Sequence, residues 1–138
     1  MPIDEDRALG WQIRAIRGAT TVAENTEPAI RQAVDELLDS LATANQLESE
    51  NIVSVTFTTT PDLDAIFPAA IARTRPGWQY VPLLDVQQMH VPGSLSQCIR
   101  VLLHFNTPLH QRDIGHIYLR GASQLRPDLS LSPAQFDS

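Results

Sequence analysis

From Cys98 to Phe105 the chain alternates strictly: Ile99, Val101, Leu103 and Phe105 share one parity, and Arg100, Leu102 and His104 share the other. A period of two is that of a β-strand, and the apolar parity has to be buried. The pattern therefore predicts a strand with one face on a core, and it points the Arg100 guanidinium away from that core. Thr26 to Ala44 shows a different period, with Ile30, Ala33, Val34, Leu37, Leu38 and Leu41 at the spacing of a helix with one buried stripe. Thr26 suits an N-cap, Glu27 and Pro28 suit the first turn, and Asn45 marks the stop. A one-faced strand and a one-striped helix cover each other, so the chain reads as a layered domain.

Other segments fill in the sheet. Trp11 to Arg17 alternates Trp11, Ile13 and Ala15 as a strand that Gly18 ends, with Arg17 on the apolar parity. Ile52 to Thr59 sets Val53, Val55 and Phe57 against Ser54, Thr56 and Thr58, a strand ended by Pro61. Asp62 to Arg73 reads as a short helix with Leu63, Ile66, Phe67 and Ala70 facing inward, strained by Pro68 if that residue lies inside it. Gly77 introduces a strand from Trp78 to Leu84 that Pro82 confines to an edge or a bulge, and Pro92-Gly93 turns the chain. His116 to Arg120 alternates once more, and Leu125 to Leu131 forms an extended tail. Strands and helices mixed in this way predict an α+β domain with a mixed sheet. The expected organisation is a flexible leader over 1–10, one domain over 11–131 and a flexible tail over 132–138.

Composition excludes several classes. The chain has 138 residues, 43% of them hydrophobic, with one cysteine and a formal charge of −6. That length supports a core without staples, burying about 68–70% of the unfolded surface. A single cysteine makes neither an internal disulfide nor a cysteine zinc site, and His90, His104, His110 and His116 lack the close pairings of metal ligands. A reducing cytoplasm is the expected compartment. No apolar run approaches a membrane span, and the acidic start Met1-Pro-Ile-Asp-Glu-Asp is unlike a secretory signal. The acidic balance, without a dense basic cluster, argues against nucleic acid as the partner.

The sequence has no G-x-S-x-G, P-loop, G-x-G-x-x-G or H-E-x-x-H pattern, so the common nucleophilic, nucleotide-binding and metalloprotease signatures are absent. All ten basic residues are arginine. Arginine presents a rigid donor fork that matches a carboxylate, where lysine presents a hydrated point charge. Arg17, Arg73, Arg100 and Arg126, at strand ends or on non-core faces, together with the neutral donor Tyr118, form a set suited to cradling an anion.

Five ordered blocks carry a resemblance: Ile13-Arg-Ala-Ile-Arg-Gly-Ala-Thr-Thr-Val, Thr60-Pro-Asp-Leu with Phe67-Pro-Ala, Gly77-Trp-Gln-Tyr-Val-Pro, Cys98-Ile-Arg-Val, and Leu125-Arg-Pro-Asp-Leu-Ser-Leu. Together, from about Ile13 to Leu131, they resemble the monofunctional chorismate mutases of the AroH class. The resemblance implies an α/β pseudo-barrel: a mixed sheet packed against two helices, assembled as a homotrimer with active sites at subunit interfaces. It implies no cofactor and no metal, and a reaction that turns chorismate into prephenate in phenylalanine and tyrosine biosynthesis. By the same resemblance Arg100 donates to the ether oxygen and the enolpyruvyl carboxylate, Arg17 clamps a carboxylate, and Tyr118 donates to it. Phe67, Ala69, Leu83 and Leu84 then line the pocket, and Arg73 and Arg126 sit at its mouth.

The sequence departs from that pattern where better-known members carry a glutamate and a cysteine; this chain has Gln88 and Asp85 there. Gln88 keeps an acceptor for the substrate hydroxyl without the charge, and Asp85 is expected to return a carboxylate three residues earlier. Ala70 stands where relatives can carry a basic residue. A non-catalytic trimeric module that binds a small carboxylate is the alternative. A deaminase of enamine or imine metabolites would not account for the ordered blocks.

Overall fold

The computed structural model describes residues 10–128. Most of the expected leader, residues 1–9, and the tail beyond Asp128 lie outside the described residues. Strand β1 (Gln12–Thr21) leads to helix α1 (Glu27–Asn45), then β2 (Ile52–Thr59), the short α2 (Pro68–Ala72), β3 (Leu83–Gln87), β4 (Cys98–Thr107) and β5 (Ile117–Tyr118). The five strands form one sheet in the order β3-β2-β4-β1-β5. The central strand β4 runs antiparallel to β1 and β2, and the outer strands β3 and β5 run parallel to β2 and β1. The sheet is thus mixed and the fold α+β, with both helices against one face.

Local chemistry explains α1. The Thr26 hydroxyl accepts from the Ala29 N–H at 3.3 Å, and Glu27 sits where the helix dipole favours an acid. The buried stripe is the expected one. Asn45 is the last helical residue, and its role is tertiary. Its carboxamide accepts from the Gly115 N–H at 2.7 Å and donates to the Gly115 carbonyl at 3.0 Å, clamping the approach to β5 against the end of α1. Gln46 then leaves the helix in the left-handed region, at φ 52°.

The structure corrects six local expectations. Gly18 does not end β1, which runs through it to Thr21. Its lack of a side chain serves a close approach: a Cβ there would meet Val101 Cγ1 at 3.0 Å and the Ile117 carbonyl and Leu37 Cδ1 at 3.2 Å. Because Ile16 and Gly18 face the core, Trp11, Ile13 and Arg17 take the other parity and are exposed. In β2 the register shifts between Ile52 and Ser54, a bulge that buries Ile52 and Val55 on the same side and turns Val53 outward. The expected 62–73 helix shrinks to Pro68–Ala72, because Pro68 is accommodated at a helix start and residues 61–67 form a loop; Phe67 precedes it, 69% exposed. The edge strand starts after Pro82, at Leu83, while Trp78 to Val81 form a turn closed by Val81 N–H to Trp78 O at 3.0 Å. The late alternation is shorter than expected, with strand pairing only at Ile117–Tyr118 before a 3-10 turn over Arg120–Gln124.

The core lies between the helices and one face of the sheet, around Ile16, Leu37, Leu38, Leu41, Phe57, Ile71, Ile99, Leu103 and Phe105. The crowding at Gly18 makes a prediction. Gly18→Ala should destabilise the fold by about 1–3 kcal/mol by overpacking, read as a lower midpoint of chemical denaturation; unchanged stability would show that Leu37 and Val101 yield freely.

Candidate functional site

Among the described residues the two α-helices cover one face of the sheet; the other carries two transverse rows of side chains. One row is Val86, Thr58, Arg100, Ala19 and Tyr118, each opposite the next across β3, β2, β4, β1 and β5. The adjacent row is Leu84, Thr56, Leu102 and Arg17. The pairing thus gathers Arg17, Arg100 and Tyr118 on one open face. Gln88 continues β3 with the parity of Leu84 and Val86, and its N–H reaches the Thr59 carbonyl at 2.8 Å.

A second group of expected site residues lies at the β3 edge around α2. Leu83, opposite Val55, and Asp85, opposite Phe57, have the core-side parity. The Asp85 carboxylate accepts from the Ala69 N–H at 3.0 Å. Burial pushes its pKa up from the ordinary carboxylate range, while the Ala69 N–H and the Arg73 guanidinium pull it down. Phe67, Pro68 and Asp85 line a cavity of about 550 Å³ together with Thr59 to Pro61, Leu63 to Ile66, Val86 and Gln87. A separate cleft of about 300 Å³ holds Arg17, with Ile13, Leu102 and His116 in its walls. Within one chain, then, the expected site is divided: Arg17, Arg100, Tyr118 and Gln88 on the open face, and Phe67, Ala69, Arg73, Leu83 and Asp85 beside α2. Asp85 and Gln88, three residues apart, have opposite parity on β3 and its extension.

Arg126 pairs with Asp128 at 2.8 Å, whereas Arg17, Arg73 and Arg100 have no carboxylate partner among the described residues. His116 reports the local field. Its Nδ1 accepts from the Arg17 backbone N–H at 3.0 Å, and its pKa is pushed down first by burial and then by the Arg17 and Arg126 guanidiniums. Sequence reasoning gave His116 no role beyond its strand, although its two-residue spacing from Tyr118 places both near the same face. It also missed Cys98, which is two residues from Arg100 and shares its parity. The Cys98 thiol is buried; burial raises its pKa while the neighbouring Arg100 guanidinium lowers it. Two buried polar atoms, Thr58 Oγ1 on the residue opposite Arg100 and Gln88 Oε1, have no hydrogen-bond partner among the described residues.

Arg17 and Arg100, on one face of an α+β sheet and without a carboxylate partner among the described residues, are suited to holding a small anion. The chain belongs to the chorismate mutase type I family, whose profile matches residues 13–129. It is 46% identical over 120 residues to chorismate mutase AroH of Bacillus subtilis, covering 87% of this chain and 94% of that protein. It is 49% identical over 118 residues to chorismate mutase AroH of Thermus thermophilus, covering 85% of this chain and 96% of that protein. A solved chorismate mutase from Clostridium thermocellum superposes with a TM-score of 0.77 at 48% identity, over 80% of this chain and 97% of that one. Among the described residues no helix is long and apolar enough to cross a membrane.

The His116 contact carries a pH signature. With its native pKa below the ordinary 6.5, the folded state binds fewer protons than the unfolded one in the window between the two values. Stability should therefore be complete above that window and fall as pH drops through it, because protonated Nδ1 no longer accepts from Arg17. Thermal unfolding midpoints across this range should show the slope, and His116→Gln should remove its share of it.

Proposed function

We propose that the chain catalyses the rearrangement of chorismate to prephenate, a concerted [3,3] shift that needs neither a nucleophile nor a general base. The observation that carries this reading is the family match across 13–129, with Arg100 on the open face and free of any carboxylate partner among the described residues. The enzyme's task is to select the compact diaxial conformer of a dicarboxylate and to stabilise charge as the ether C–O bond breaks. Arg100 donates to the ether oxygen and the enolpyruvyl carboxylate, where negative charge grows in the transition state. Arg17 clamps a carboxylate, Tyr118 donates to it, and Gln88 accepts from the substrate hydroxyl. Arg73 and Arg126 draw the dianion to the mouth, while Phe67, Ala69, Leu83 and Leu84 line the pocket wall.

The working unit in this reading is a homotrimer. Ile13, Leu84, Val86 and Leu102 leave 58%, 59%, 43% and 41% of their surface exposed, with Leu84, Val86 and Leu102 on the helix-free face of the sheet. Exposed apolar side chains grouped on one face favour a protein partner. The division of the site residues into two groups supports a second copy as that partner, one subunit contributing the arginines and its neighbour the α2 wall.

Purified protein should consume chorismate, seen as loss of its ultraviolet absorption, with prephenate as product. Arg100→Ala should lower the rate about 10²–10³-fold, or 3–4 kcal/mol in barrier. If both proteins are inert while a bicyclic transition-state mimic binds no tighter than prephenate, the non-catalytic carboxylate-binding module replaces this reading. Sedimentation should give a trimer, and Leu102→Asp should dissociate it by burying an unpaired charge; a wild-type monomer would refute the shared site.

A further inference from the structure

Helix α2 is five residues long, too short to hold itself in place by its own hydrogen bonds. Its first turn shows what does. Phe67, the N-cap, offers no side-chain acceptor; Pro68 has no N–H; and the Ala70 N–H is satisfied by the Phe67 carbonyl at 3.0 Å. That leaves the Ala69 N–H, a buried donor whose partner comes from another element: the Asp85 carboxylate of β3, at 3.0 Å. Asp85 thereby caps α2 from across the cavity, a task usually performed by a serine, threonine or aspartate at the N-cap itself. The bond ties the edge strand to the turn that presents the largely exposed Phe67 ring.

The same geometry bears on charge. Asp85 lies opposite Phe57 and shares the core-side parity, whereas Arg100 lies opposite Thr58, one pleat away on the open side. The cation that acts on the Asp85 carboxylate is Arg73, at the end of α2. Both the hydrogen bond and the neighbouring charge therefore direct the carboxylate toward α2.

We propose that Asp85 is a positioning residue, which holds α2 and the Phe67 wall in place through the Ala69 N–H and does not supply the charge lost at Gln88. This inference rests on the chorismate mutase reading. It requires an acceptor oxygen at position 85 and has no need of a negative charge there. Asparagine keeps the acceptor and removes the charge; leucine removes both and keeps the bulk.

The test measures kcat and KM for chorismate in the intact protein, with Asp85→Asn, Asp85→Leu and the smaller Asp85→Ala, and follows hydrogen exchange at the Ala69 amide in each. Asp85→Asn should keep kcat within about threefold, since a neutral acceptor replaces a charged one, and should keep Ala69 protected. Asp85→Leu and Asp85→Ala should speed Ala69 exchange and lower kcat by about 10–100-fold, the scale of a displaced pocket wall. Should Asp85→Leu fail to fold, Asp85→Ala and the retained activity of Asp85→Asn carry the comparison. An Asp85→Asn enzyme that loses as much activity as Asp85→Ala, while Ala69 stays protected, overturns the proposal and makes the charge itself the agent. Full activity in Asp85→Ala overturns it too. An inert wild type removes the chorismate mutase reading itself, an outcome distinct from either.

Discussion

The arrangement depends on the two-residue period of β4, the strand that pairs with both β1 and β2. One parity supplies Ile99, Val101, Leu103 and Phe105 to a core closed by α1 and α2, and the other has no α-helix over it among the described residues. A one-residue slip of β4 would turn Arg100 into the core and its neighbours out, at the cost of an unpaired buried guanidinium. Burial of the apolar parity therefore fixes the direction of Arg100 before any ligand is considered. The bulge in β2 and the close approach at Gly18 serve the same register, since they let the flanking strands follow β4 with their own apolar residues inward.

Small polar side chains secure the loop that reaches the second half of the site. The Asn25 carboxamide accepts from the N–H groups of Asp64 and Ala65 at 3.0 and 3.1 Å and donates to the Asp64 side chain at 2.7 Å. Asp62 takes the Gln97 N–H, and the Thr60 hydroxyl accepts from the Cys98 N–H at 3.0 Å at the start of β4. Residues 60–66 thus have no regular structure of their own, yet they are tied to the end of β1 and to the beginning of the strand that carries Arg100. Such contacts, local in the loop and remote in sequence, keep Phe67 exposed despite its apolar character.

What the sequence disclosed follows from the range of the forces involved. Helix α1 and strand β4 were legible because a sustained period and a threonine cap are local signals, and β2 was legible in its limits for the same reason. Gly18 was misread because its role is set by Leu37, Val101 and Ile117, which lie far along the chain. The parity of β1 was misread because the alternation of Trp11, Ile13 and Ala15 is as regular on an open face as on a buried one. The 62–73 segment carries a helical period that Pro68 and the Asn25 clamp override. Of the site, the candidate arginines were visible as a residue type and, through the family resemblance, as positions. Their division between two faces was not visible, because parity on β3 depends on where that strand begins, and Pro82 moves the start to Leu83.

The electrostatics reconcile an acidic chain with an anionic substrate. A formal charge of −6 repels a dianion at long range, but in salt that repulsion is screened over about 8 Å, so the local field governs the last steps of approach. His116 records the sign of that field: after burial, Arg17 and Arg126 are the causes of its lowered pKa. Arg126 is paired with Asp128, but Arg17 has no carboxylate partner among the described residues, and the acids of α1 are engaged elsewhere. Asp35 and Asp39 hold Arg75, Glu36 holds Arg120 and Glu27 holds Arg31, all on the helical side of the molecule. With those pairs on α1, Arg17 and Arg100 keep no carboxylate partner among the described residues, and a guanidinium buried without a counter-charge is costly. In the proposed reading a bound dicarboxylate supplies that counter-charge on the same face that leaves Leu84, Val86 and Leu102 exposed.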